Sequence, residues 1–330
     1  MQLPPDNEEM KLVAALLTVY VVWGSTFLGI AVADRTLPPF LMLSGRFLLA
    51  GALLYWWARR RGADRPTGRQ WGAAAAVGAA LLVVDTGGVA WAEQRVASGM
   101  TALLVATVAL FIVLLDRICF GVRIAGNTAL GLLVGLAGVG LLVGSSGHLD
   151  PLGVAVILGA SFAWAAGSAY ARVAPLPSNT LLSAAMQMLT AGLALAAVSA
   201  AAGERVTVVP SRASLGAFAF LVVFGSLIAF TAYGWLIRNA PSPLVSTYAY
   251  VNPAVAVFLG WLLAGEHVGV RELVAGLVIL SSVALLAIRH ERRAAPEPVA
   301  EALRPYIRRQ EAQRTDFRGA PRLYELPRAA

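Results

Sequence analysis

Apolar residues recur along this chain in long continuous runs, separated by short segments rich in arginine, proline and glycine. The runs fall near 12–32, 40–58, 71–92, 99–119, 129–146, 152–170, 179–201, 213–235, 244–263 and 272–289. Each is close to the roughly 20 residues that a helix needs to cross a hydrocarbon core. A soluble helical core would instead show narrow amphipathic stripes, and the period-2 alternation of a membrane barrel is absent. Long strands would leave backbone groups unpaired in lipid, so the runs predict ten transmembrane helices.

Composition supports the same reading. Of 330 residues, 58% are hydrophobic and only 13% charged, against about 25% charged in soluble domains. The net charge of +8 suggests nucleic acid at first sight. The basic residues lie in the segments between apolar runs and in the tail, without an aromatic-lined basic face, so no nucleic-acid partner is expected. Their distribution reports orientation. With the N-terminus in the cytoplasm, thirteen basic residues from Lys11 to Arg293 fall on that side, among them Arg59, Arg60, Arg61, Arg65 and Arg69. The other side receives five, Arg35, Arg95, Arg205, Arg212 and Arg271, which predicts both termini in the cytoplasm. Ala31-Val32-Ala33 resembles a cleavage site, but Asp6, Glu8 and Glu9 against Lys11 give the wrong charge for a signal segment. The first run is therefore read as a retained span. The single cysteine, Cys119, lies inside a run and is assigned to packing; no disulfide or metal site is expected. Residues 1–11 read as a cytoplasmic N-terminus and 290–330, rich in Pro, Glu and Arg, as a disordered cytoplasmic tail.

The runs also repeat. Trp23 and Trp164 are 141 apart, and at the same offset Arg46 meets Gln187 and Ala50-Gly51 meets Ala191-Gly192. Later in each half the offset is 144, where Trp91 meets Trp235, Ser98 meets Ser242 and Gly121 meets Gly265. Two halves, 12–146 and 152–289, follow. Five crossings is an odd number, so the second half enters the membrane reversed. The expected fold is all-α integral membrane, ten transmembrane helices as two inverted five-helix repeats, with a cavity at mid-depth that permits alternating access.

Trp23-Gly24-Ser25-Thr26-Phe27, Leu37-Pro38-Pro39-Phe40 and Gly45-Arg46-Phe47-Leu48-Leu49-Ala50-Gly51 resemble the first two helices of the EamA-like ten-helix members of the drug/metabolite transporter superfamily. Trp91-Ala92-Glu93, Val105-Ala106-Thr107-Val108, Asn252-Pro253 and Gly265-Glu266 continue the resemblance over nearly everything but the tail. Ala109 and Val122 stand where many members carry Pro and Glu, whereas the second half has Pro253 and Glu266. The resemblance implies a multi-pass inner-membrane carrier, commonly an exporter, of amino acids, related metabolites or drugs. Ser25 and Thr26, within the first motif, join the cavity candidates.

Charges at a helix centre cost roughly 2.5–3.5 kcal/mol on insertion scales, so Arg46 and Asp85 need partners or water. They are expected either to pair across adjacent antiparallel helices or to line the outer half of the cavity, where protons are a candidate coupling ion; a structural ion pair is the competing reading. Asp116 and Arg117 lie near a helix end and receive no special role. Ser183, Gln187 and Thr190 share a face that either lines the cavity or bonds a neighbouring helix. Ser246 and Tyr250 share a face close to Asn252-Pro253, where the proline frees a carbonyl and can open the helix; Ser246, Tyr250 and Asn252 are therefore candidates for a substrate contact and Pro253 for a hinge. Trp23, Trp164, Tyr233 and Tyr248 either stack on solute or pack. Gly131/Gly135 and Gly140/Gly144 allow close packing within the chain or in a homodimer.

Secondary transport of a small-molecule substrate is the leading function, with the lipid bilayer as partner and no cofactor. A membrane enzyme is the rival class, weakened by His148, His267 and His290 being scattered in loops. A sensor subunit without flux is a second rival, and a nucleotide-sugar carrier of the same superfamily a closer one.

Overall fold

The computed structural model describes residues 5–121, 150–240, 247–265, 268–271 and 273–281, with Val245 and scattered positions between 130 and 141. Among the described residues every regular element is a helix, and seven are long and apolar enough to cross a membrane. These are α1 (Met10–Ala33), α2 (Pro39–Arg60), α3 (Gly68–Glu93), α4 (Ser98–Cys119), α5 (Pro151–Ala171), α6 (Thr180–Ala201) and α7 (Arg212–Ile237). A shorter helix, α8 (Tyr248–Ala264), follows. About half of each of the runs expected at 129–146 and 272–289, and the whole tail, lie outside the described residues.

Local chemistry sets the helix ends. Thr67 and Gln70 form a reciprocal capping box at the start of α3. Asp150 accepts from Leu152 and Gly153 N–H, with Pro151 at the first helical position of α5. Asn179 and Ser211 cap α6 and α7. Leu49, Leu53 and Trp56 on α2, Leu193 on α6 and Phe258, Trp261 and Leu262 on α8 are exposed. An outer surface this apolar is matched by lipid rather than water.

The repeat is visible in the helix boundaries. α2 and α6 are each 22 residues, offset by 141 at both ends; α3 and α7 are each 26 residues, offset by 144. Gly62 and Gly203, then Gly121 and Gly265, take positive φ, and they too are counterparts at those offsets. Among the described residues, α2 and α6 form the broadest helix contact. A Cβ on Gly51 would lie 3.0 Å from Leu189 N, and one on Gly192 would lie 3.0 Å from Leu48 N. Because Leu48 and Leu189 are themselves counterparts, the contact is self-complementary, the mark of a two-fold axis. The Ser44 hydroxyl closes it by donating to Gly192 O at 2.9 Å. Elsewhere, a Cβ on Gly138 would lie 2.8 Å from Ile279 Cγ1, so at this glycine the segment packs closely within the chain.

The bundle has two distinct ends. At the far end Glu204, after α6, accepts the N–H groups of Phe40 and Leu41 at 3.2 and 2.8 Å, capping α2 from the other half. The Ser214 hydroxyl there donates to Val32 O, and Arg95 meets Asp150 at 3.4 Å. Asp34, just past α1, has both carboxylate oxygens buried without a hydrogen-bond partner among the described residues. Burial, and then the Glu204 charge, push its pKa up to about 8, so it keeps its proton at neutral pH. The Arg-rich end carries Arg59, Arg60 and Arg61. There Arg172 donates to Asp116 at 2.7 Å; the carboxylate is buried and the guanidinium partly exposed, so Asp116 has an ion-pair partner where the sequence suggested only an interfacial side chain. Cys119, expected to pack, is exposed.

Candidate functional site

Among the described residues, three helices change pitch where they pass the centre of the bundle. Val19–Trp23 in α1, Ala79–Thr86 in α3 and Leu221–Phe230 in α7 are π-helical. The segments in α3 and α7 are counterparts, ending 144 apart at Thr86 and Phe230. A π turn carries an extra residue and re-aims the side chains after it, and such turns are frequent at functional sites. Here they bring Trp23, Asp85, Thr86, Gly225, Ser226 and Phe230 around one cavity of about 100 Å³. Since one water needs roughly 10–15 Å³ on this kind of measure, the space holds several waters or a small organic molecule.

Seven of the residues singled out from sequence line that cavity: Trp23, Thr26, Arg46, Asp85, Trp164, Tyr248 and Asn252. Its walls are otherwise largely apolar, with Phe27, Ile30, Phe47, Leu82, Val89, Val105 and Val108. Arg46 is 5% exposed. Its Nε donates to Ser226 Oγ at 2.8 Å, and its guanidinium lies 5.1 Å from the Phe47 ring centroid. A Cβ at position 225 would come 2.8 Å from Arg46 Nη2, so Gly225 makes the room that this guanidinium occupies. Asp85 is 7% exposed, and its Oδ1 has no hydrogen-bond partner among the described residues. Both side chains line one cavity and form no ion pair with each other, so the expected pairing across adjacent helices is not made.

Four aromatic rings close one side. Trp23 meets Trp164 edge to face at 5.5 Å between centroids, Tyr233 at 4.8 Å and Tyr248 at 5.6 Å. Trp164 Nε1 donates to the Tyr248 hydroxyl at 3.1 Å. Tyr233 thus supports the cavity wall through its neighbours.

The remaining sequence candidates lie elsewhere. Ser25 donates to Val21 O in its own helix. Gln187 is buried and donates to Ser183 Oγ, while Thr190 bonds Met186 O, so that polar face is satisfied within α6. α8 runs through Pro253 as one helix. Ser246 and the side chain of Tyr250 lie outside the described residues, as do Val122, Gly140, Gly144, Glu266, His148, His267 and His290. The sequence reading missed Ser226, Gly225 and Thr86; a serine after a glycine in an apolar run was the one available hint.

Residues 10–144 and 151–288 each match the EamA-like transporter family. Over 282 residues the chain is 40% identical to YedA, an inner membrane transporter of Escherichia coli K12, covering 84% of this chain and 91% of that protein. A transporter of Archaeoglobus fulgidus is 24% identical over 298 residues, covering 87% of this chain and all of the relative. A crystal structure at 19% identity superposes with a TM-score of 0.62, covering 86% of this chain and 99% of that one, which shows the same fold. The doubled match fits a ten-helix membrane protein built from two repeats.

Proposed function

The chain belongs to the EamA-like transporter family, matched once in each half, and from that premise we propose that it is a secondary transporter that exports small organic solutes by alternating access. The observation that carries this reading is the central cavity, where one guanidinium and one carboxylate stand unpaired with each other among aromatic and aliphatic walls. Arg46 binds an anionic group of the solute, because a buried guanidinium with spare donors favours a carboxylate. Asp85 binds an amine or a proton and couples its movement to transport. Amino acids and related metabolites have this chemistry and this size. Nucleotide sugars fit less well, since Arg46 is the one cation among the described lining residues to offset their phosphates.

The Arg-rich end faces the cytoplasm, by the positive-inside rule, and the membrane is the inner membrane, as the name of the Escherichia coli relative suggests. Both termini are then cytoplasmic, and the halves 12–146 and 152–289 move against each other. Catalysis is not part of this reading.

The test is reconstitution in liposomes with a labelled pool of amino acids and related metabolites under an imposed pH gradient. Flux of at least one compound, chemically unchanged, is expected, and Asp85→Asn is expected to remove the dependence on the pH gradient. Absence of flux across the pool, or chemical alteration of the label, overturns transport. An unchanged pH response in Asp85→Asn removes that residue from coupling.

A further inference from the structure

An inverted repeat gives each residue a counterpart at the opposite end, and at the aromatic cluster the counterparts are unequal. Trp23 and Trp164 are counterparts of each other and meet in the middle. Tyr233 and Tyr248 correspond, at the 144 offset, to Val89 and Leu104. Tyr233 lies four residues from the Arg-rich end of α7, and Tyr248 opens α8 at that end. Val89 lies four residues from the far end of α3, where it lines the cavity, and Leu104 lies buried in the far-end half of α4.

The rings therefore stand between the cavity and the Arg-rich end. Tyr233 and Tyr248 touch at 5.7 Å between centroids, and Trp164 lies 5.8 Å from Tyr233. The same end is also tied by the Tyr20–Thr247 hydroxyl contact and the Arg172–Asp116 pair. We propose that Tyr233 and Tyr248, with Trp23 and Trp164, form a plug that shuts the Arg-rich end, and that its far-end counterpart, built on the same tryptophans with Val89 and Leu104, is weaker. The empty protein consequently rests with the Arg-rich end closed. This rests on the alternating-access reading above.

The physical reason is differential contact. In a repeat-swapped state the contacts that close one end are remade at the other by the counterpart residues. Edge-to-face rings attract beyond their buried area, and the indole-to-hydroxyl hydrogen bond has no equivalent at Val89 or Leu104. A two-state equilibrium is set by the difference between the contacts of its states, so the side with the aromatic plug is the side closed most of the time.

The test gives each tyrosine its counterpart's side chain, Tyr233→Val with Tyr248→Leu, in a Cys119→Ser background carrying Thr86→Cys as a cavity reporter. An impermeant maleimide is applied to vesicles from either side, without solute. The original protein is expected to label faster from the far end. The double variant is expected to label at least tenfold faster than the original from the Arg-rich end and more slowly from the far end. Tyr248→Phe, which keeps the ring and loses the hydroxyl, is expected to shift the ratio in the same direction by less. An unchanged or opposite ratio overturns the proposal, and should the double variant fail to fold, the single variant decides by the same criterion. Because labelling is read without solute, a protein inert in the flux assay still reports on the plug.

Discussion

Arg46→Gln is expected to lower the apparent affinity for transported solute by a hundredfold or more while leaving the protein folded. The guanidinium is buried, and among the described residues its one side-chain hydrogen bond runs from Nε to Ser226. Removing one partner of a desolvated charge pair costs about 3–5 kcal/mol, or roughly two to three and a half powers of ten in affinity at about 1.4 kcal/mol each. Arg46→Lys keeps the charge and loses the planar fork, so it is expected to retain part of the activity. Flux in liposomes across a range of solute concentrations separates the outcomes. A glutamine variant with the original concentration dependence would mean that Arg46 serves the helix contact with Ser226 and not the solute.

Gly192→Leu and Gly51→Leu are each expected to deplete folded protein severely. These positions hold α2 and α6 backbone to backbone, with a Cβ meeting Leu48 N or Leu189 N at 3.0 Å. A backbone neighbour cannot rotate away, so the helices must separate, at the upper end of or beyond the 1–3 kcal/mol typical of overpacking. Gly72 is the control: a Cβ there meets nothing within 4 Å, and Gly72→Ala is expected to be neutral. Thermal unfolding in detergent, followed by size-exclusion profiles, reads all three. Wild-type melting in both leucine variants would contradict the close crossing.

Much of this architecture is legible in the sequence because lipid imposes simple rules. Helix existence follows from run length, and the offsets of 141 and 144 recur as the boundaries of α2, α6, α3 and α7. Arg46 and Asp85 are equally readable, since a charge at depth stands out against apolar neighbours. What the sequence hides is local. Face assignments assume 3.6 residues per turn, and the π-helical segments change that phase; Ser25, two residues past one of them, bonds its own helix instead of the cavity. Likewise Pro253 marks the expected opening, yet α8 continues through it, and the interruption falls in the first half at Ala106–Thr107. There the Thr107 hydroxyl donates to Leu104 O at 2.7 Å, a local side-chain bond that competes with the helix and carries no sequence mark as strong as a proline. Gln187 shows the third kind of failure: its polarity is real, but Ser183 on the same helix absorbs it.

The central claim, that two oppositely inserted repeats enclose the cavity, is tested most directly by the sidedness of two loops. Glu204 caps the start of α2, and the 22 residues of that helix span about 33 Å before the segment Arg59–Arg69. With Cys119→Ser as background, Ala63→Cys and Arg205→Cys are to be labelled with an impermeant maleimide in intact cells and in inside-out vesicles. The account predicts Arg205→Cys reactive in cells and Ala63→Cys reactive only in the inverted vesicles; reaction of both from the same side would contradict it.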